Sequence, residues 1–292
     1  MQKIQIITDS GCDLDKETIE ELGIRVLPFS VSIADLNFKE VFEKSTDDFY
    51  ELMEKYDDIP KTAQITAIEF EDAYEEAYKD GVTDIICVTI NSKGSATHEN
   101  SVFAKKNFYN NNPGAESKIR IFNLDSKCYT CSYGYPISEA VKKIRKGAEA
   151  EEIVAFLNDW FDTLEIYAVA GTLKYARMSG RISAAKAFAG EMLGLKPIIR
   201  FADGDAVTVD KFRGAKNTVQ KLIEWADKSM TPQSPYVLIH GKDDTFAREI
   251  EKEMEKKYGT KAEAFFRIGA VVSANIGPDV TAIMIRRKKS DK

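Results

Sequence analysis

The seven residues Asp84 to Ile90, DIICVTI, form a nearly continuous apolar run, the mark of a strand covered on both faces. Strand and helix patterns alternate around it. Lys3 to Thr8 reads as a strand, Lys16 to Leu22 as a helix stopped by Gly23, Ile24 to Ser32 as a second strand, and Lys118 to Leu124 as another. Phe49, Leu52, Met53 and Tyr56 recur at helical spacing, as do Phe70, Ala73, Tyr74 and Ala77 after a capping box at Thr66 and Glu69. Tyr133, Ile137, Val141 and Ile144 line a helix that ends at Gly147. Ile153, Leu157, Trp160 and Leu164 line the next, and both aromatic sets read as core packing. This rhythm predicts an α/β fold whose N-terminal domain, residues 1–163, is a doubly wound, mostly parallel sheet.

From Ile166 the rhythm changes. Within Gly171 to Gly204, Met178-Ser179-Gly180-Arg181 reads as a basic turn and Ser183 as the cap of a small-residue helix. Lys196-Pro197 then starts a strand, and Asp203-Gly204 signals a hairpin into a strand over Ala206 to Phe212. Helices over Ala215 to Met230 and Asp244 to Tyr258 flank a strand over Tyr236 to His240. Three closing strands are expected at Lys261 to Arg267, Ala270 to Asn275 and Val280 to Arg286. Residues 164–292 are therefore expected to form a second α/β domain with a mostly antiparallel sheet, and the cleft between the domains is the expected ligand site.

Composition narrows the function. A net charge of -6 argues against general nucleic-acid binding, which needs a basic face. No apolar run approaches the ~20 residues of a membrane helix, and Met1 to Ile4 leads straight into a strand, so a cytoplasmic protein is expected. Cys128-Tyr129-Thr130-Cys131 has CxxC spacing, which suits redox chemistry or half a zinc site. With no second CxxC and only His98 and His240 as histidines, free thiols are expected, with no metal and no disulfide.

The strand ends carry the polar candidates. Asp9-Ser10-Gly11 follows the first strand, where groups contact ligands in open α/β sheets. Asp9 could be a phosphoryl-accepting nucleophile of the haloacid-dehalogenase type, but the second aspartate of that pattern is displaced to Asp13; a structural or ligand-adjacent role is favoured. Thr62 is expected in a loop before a helix N-terminus, where hydroxyls and free amides face an anion. Asn91 to Thr97, with Ser92 and Ser95, forms a polar cradle at a strand-to-helix junction without P-loop spacing.

Leu173-Lys174, Gly180-Arg181-Ile182-Ser183 and Leu195-Lys196-Pro197 resemble the signature of the DegV family of bacterial fatty-acid-binding proteins. The resemblance extends in order through Thr8-Asp9-Ser10, Thr62-Ala63-Gln64, Asn91-Ser92 to Thr97, Asp125-Ser126, Lys211 to Gly214 and Gly277-Pro278. It implies a long-chain fatty acid bound between two domains, its carboxylate held by polar loops, with Thr62, Ser92, Ser95 and, from the last loop, Asn275 as the candidate donors and Ile276 as a further ligand-binding residue. It also implies presentation of that acid to a separate fatty acid kinase, docked through Arg181 and Arg213, with no catalytic residue, no cofactor and no metal in this chain. The alternative for each arginine is local: Arg181 capping carbonyls of its turn, Arg213 a solvated hairpin charge. The sequence departs from the family where Ala63 replaces a serine, Asn275 a histidine and Asp279 a glycine. An asparagine amide donates hydrogen bonds but cannot become cationic, which leaves room for a different acyl or apolar ligand. An enzyme acting on a small phosphorylated or carboxylated metabolite, using Asp9 and the Ser92 to Thr97 loop, remains the second hypothesis, and redox activity of Cys128 and Cys131 a third.

Overall fold

The computed structural model describes residues 2–181, 194–231 and 234–288. Ser183 and the small-residue helix expected after it lie outside the described residues. In chain order the elements are β1 (Ile4–Asp9), α1 (Lys16–Leu22), β2 (Arg25–Leu27), β3 (Ser30–Ile33), β4 (Leu36–Lys39), α2 (Thr46–Lys55), β5 (Lys61–Ala63), α3 (Ala67–Lys79), β6 (Asp84–Thr89), α4 (Thr97–Asn111), β7 (Arg120–Asp125), α5 (Cys131–Arg145), α6 (Ala150–Thr163), β8 (Leu164–Ala170), α7 (Lys174–Ser179), β9 (Leu195–Ala202) and β10 (Asp205–Arg213). They continue with α8 (Thr218–Ser229), β11 (Val237–His240), α9 (Thr245–Tyr258), β12 (Ala264–Arg267), α10 (Ala270–Ile276) and β13 (Val280–Arg286).

The chain divides into two compact units, Met1–Ser45 with Thr62–Phe161, and Thr46–Lys61 with Asp162–Lys292. In the first unit, β2, β1, β6 and β7 lie side by side in that order, all parallel. All six residues of β6 are buried, as expected for the central apolar run of a covered parallel sheet. The chain runs from β1 out to β2 and then returns to the other side of β1 for β6. The order of strands therefore reverses between β1 and β6, and the crevice beyond their carboxyl ends is the topological switch point.

The single strand expected over Ile24 to Ser32 is two. Pro28 has no N–H for a ladder, and Phe29 instead donates to the Ser10 hydroxyl (3.0 Å). The chain leaves the parallel sheet there, and β3 pairs with β4 in a separate small sheet completed by β5.

In the second unit the strand order is β10-β9-β8-β13-β11-β12, antiparallel except for β11 with β12. Asp203 and Gly204, both at positive φ (54° and 78°), make the tight turn between β9 and β10. Tyr167, Ile198, Leu222, Leu238, Ile250, Met254 and Ile283 fill the core against α8 and α9. Helix α2 is fastened to this unit: the Tyr50 hydroxyl donates to Ile268 O (3.0 Å) and contacts the Ser273 hydroxyl (2.9 Å), and Arg267 pairs with Asp47 (2.5 Å).

One expected strand is a helix. Ala270 to Asn275 has a β-branched pair at Val271 and Val272, yet α10 forms there, with Ser273 held by Tyr50. Tertiary contact overrides local propensity at this segment. The basic turn expected at Met178 to Arg181 is shorter than anticipated, because α7 runs to Ser179 and Gly180 (φ +68°) ends it.

Ile283 is fully buried in the middle of the six-stranded sheet, opposite Tyr167 and Leu238. Ile283→Ala is expected to cost about 2–5 kcal/mol of unfolding free energy in denaturant titration. A loss below about 1 kcal/mol would contradict the core placement.

Candidate functional site

Three segments meet at the carboxyl ends of β1, β6 and β7. The first is Asp9, which is fully buried. Its carboxylate accepts from Gly11 N (3.1 Å), from Ile90 N (2.7 Å) and from the Tyr133 hydroxyl (2.5 Å). One side chain thus ties the end of β1 to the end of β6 and to α5. Burial pushes the Asp9 carboxyl up to about 6, against the opposing pull of its three donors. With both oxygens so engaged and shielded, Asp9 is a structural anchor and not an exposed nucleophile. The adjacent Ser10 is equally committed, donating to Glu40 (2.6 Å) while accepting from Phe29 N.

The second segment, residues 91–97, is organised by the third. The Ser92 amide and hydroxyl both donate to Asp125 at the end of β7 (3.1 and 2.5 Å). Asn91 receives a backbone bond at its oxygen from Gly94 N, and its side chain donates to the Tyr129 hydroxyl (3.0 Å) while accepting from Lys93 N (3.1 Å). Gly94 packs directly on Tyr129: a Cβ there would stand 2.6 Å from the hydroxyl, so a larger residue would have to displace the Tyr129 ring. The Ser95 and Thr97 hydroxyls lie 2.8 Å apart, and Ser95 also accepts from Thr97 N. Two hydroxyl protons with one shared contact leave one proton to offer a ligand. The Thr97 amide is thus spent on Ser95, and no cap side chain takes the amides that follow it in the first turn of α4.

Thr62 is not in a loop but on β5, half-buried. Asn100 in α4 donates to Ile65 O (2.7 Å), which holds the stretch after Thr62 against the start of that helix. The structure thus gathers Ser92 and Ser95 into one loop and links the Thr62 segment to the helix it begins. Asn275 and Ile276 lie in the last turn of α10 in the second unit, where one Asn275 amide hydrogen returns to Val271 O (2.7 Å). The Ser179 hydroxyl donates to Asn275 O (3.4 Å), and Arg181 donates to Ser179 O (2.7 Å). Arg213 ends β10 with its side chain exposed, and its backbone oxygen accepts from Asn217 (2.8 Å).

Sequence reading missed several partners. Tyr133 was legible as a core residue but not as the donor to Asp9; Tyr129 and Glu40 carried no signal at all. All four cysteines are free and buried. Burial pushes the Cys131 thiol well above its usual range, which removes the thiolate that redox chemistry needs. Among the described residues, no cluster of three or more His, Cys, Asp or Glu could hold a metal, and no helix is long and apolar enough to cross a membrane.

A family model described as "Uncharacterised protein, DegV family" matches residues 3–288. A DegV domain-containing protein of Staphylococcus aureus is 30% identical over 279 residues, 94% of each chain. DegV of Bacillus subtilis, a solved structure described as a fatty acid binding protein, aligns with a TM-score of 0.82 and 25% identity over 99% of this chain and 100% of its own. A stearic acid-binding protein from Eubacterium ventriosum aligns with a TM-score of 0.85 and 24% identity over 99% of both chains. The fold is thus that of a group of α/β proteins with one parallel and one mostly antiparallel sheet. The chain belongs to the DegV family.

The Asp9 anchor has a pH signature. Its folded-state value is raised, so the stability it contributes is complete below about 3.8 and is lost as pH rises through about 6, on the order of 3 kcal/mol across that window. Tyr133→Phe removes a donor that favours the ionised form. In that variant the Asp9 carboxyl carbon should titrate above pH 6 by NMR; an unmoved titration would contradict the contact.

Proposed function

We propose that this protein binds a long-chain fatty acid and, without turnover of its own, presents the carboxylate to a separate kinase that forms an acyl phosphate. The observation that carries the reading is the whole-length likeness to DegV of Bacillus subtilis, itself a fatty acid binding protein. The energetics allow it. Burying a sixteen-carbon chain is worth on the order of 10 kcal/mol gross, at about 0.8 kcal/mol per methylene, before ordering and association costs. A buried carboxylate must then find donors, because leaving it unpaired costs several kcal/mol.

In this proposal Thr62 and Ser95 donate hydroxyl protons to the head group, beside the open amides at the start of α4. Ser92, whose proton goes to Asp125, holds the loop in shape. Asn275 keeps a second amide hydrogen beyond the one given to Val271, and Ile276 supplies apolar contact. Against the enzyme reading stands Asp9, shielded from solvent and saturated with donors. Arg181 and Arg213 are the proposed kinase contacts, since exposed guanidinium groups grip carboxylates on an acidic surface. Arg181 spends one donor on Ser179 and retains others.

Thr62→Ala combined with Ser95→Ala should weaken fatty-acid binding to lipid-stripped protein by about tenfold or more in a fluorescent displacement assay. Unchanged affinity would remove both hydroxyls from the site. Arg181→Ala should leave that affinity intact while slowing acyl-phosphate formation with the partner kinase. Wild-type rates with the variant would eliminate Arg181 as a docking residue.

A further inference from the structure

Between the end of β7 and the start of α5 the backbone is strained. Lys127 stands at φ 55° and Thr130 at φ 57°, ψ -155°. A positive φ crowds the Cβ, and for a β-branched residue such as threonine this combination is an outlier that glycine adopts freely. Such a conformation persists only where its surroundings over-determine it. Here they do. Lys127 N donates to Asp125 (2.9 Å), Cys128 N to the Ser126 hydroxyl (3.2 Å), the Ser132 hydroxyl to Tyr129 O, and Tyr133 N to Thr130 O (3.3 Å).

Tyr129 stands between the two strained residues and bears on loop 91–97. The Asn91 side chain donates to the Tyr129 hydroxyl (3.0 Å) and Asn91 N donates to Cys128 O (3.0 Å), so the turn grips this buried asparagine at two points. Asn91 passes the constraint on. Its backbone oxygen accepts from Gly94 N (3.0 Å) and Ser95 N (3.2 Å), and its Oδ1 accepts from Lys93 N (3.1 Å). Gly94 also backs onto the tyrosine ring, where a Cβ would stand 2.9 Å from Cε1. The backbone of Ser95 is thereby fixed, through Asn91 and Gly94, by a turn more than thirty residues later in the chain.

We propose that the turn at residues 127–130 is a positioning device for the acyl head group, with Tyr129 as its positioning residue. The inference rests on the fatty-acid reading and extends it. Tyr129 touches no ligand in this account; it sets where the Ser95 hydroxyl stands, and the strained Thr130 backbone keeps the tyrosine from swinging away.

The test pairs thermal melts with palmitate affinity, measured by fluorescent displacement on lipid-stripped full-length protein. Tyr129→Phe keeps the ring and removes the hydroxyl, and should weaken palmitate by about three- to tenfold. At position 130 glycine accepts the backbone conformation and alanine does not. Thr130→Gly should therefore melt higher than Thr130→Ala, the reverse of the usual order of these residues. With the strain gone the turn can relax, so the same glycine variant should bind palmitate more weakly than the alanine variant. A merely structural role would make affinity follow stability. Wild-type protein that takes up no palmitate would overturn the fatty-acid reading itself. Wild-type uptake with unchanged affinity in Tyr129→Phe, or with tighter binding in the glycine than in the alanine variant, would overturn the positioning role and leave that reading standing.

Discussion

The contact on which the first unit depends is the buried carboxylate of Asp9. It gathers Ile90 N, Gly11 N and the Tyr133 hydroxyl at the point where the strand order reverses. Open parallel sheets leave backbone amides unpaired at this crevice, and a ligand often satisfies them. Here the protein's own aspartate does so for two of them. The consequence is that the polar chemistry of the unit moves one step outward, to the loop after β6.

That loop is rigid for identifiable reasons. Ser92 is clasped by Asp125, Gly94 lies flat on Tyr129, and Asn91 bridges the two segments. What remains uncommitted is one proton of the Ser95 and Thr97 pair and the open end of α4. In the second unit, the chain from Ser179 through Asn275 forms its own connected set, with Arg181 closing the turn beside it.

Much of this was legible in the sequence. The all-apolar β6, the Thr66 and Glu69 box, the Asp203-Gly204 turn and the terminal β13 follow from local pattern, because period, cap and turn chemistry all agree there. Ala270 to Asn275 did not, since its valines favour a strand and only Tyr50, more than two hundred residues earlier in the chain, reveals why a helix wins. Thr62 moved from loop to strand because a three-residue strand has too short a pattern to read. The Ile90 and Tyr133 partners of Asp9 were invisible for the same reason as Tyr50: a hydrogen bond between residues far apart in sequence leaves no local trace. The chemistry-bearing residues could be named from the sequence, but which of their protons were already spent could not.

The most direct measurement is gentle organic extraction of the purified, undenatured protein followed by mass spectrometry of the extract. Fatty-acid binding requires a long acyl chain carrying a free carboxylate, recovered in near-stoichiometric amount and taken up again by the stripped protein. A stripped protein that takes up no fatty acid, and an extract with none to begin with, would contradict it.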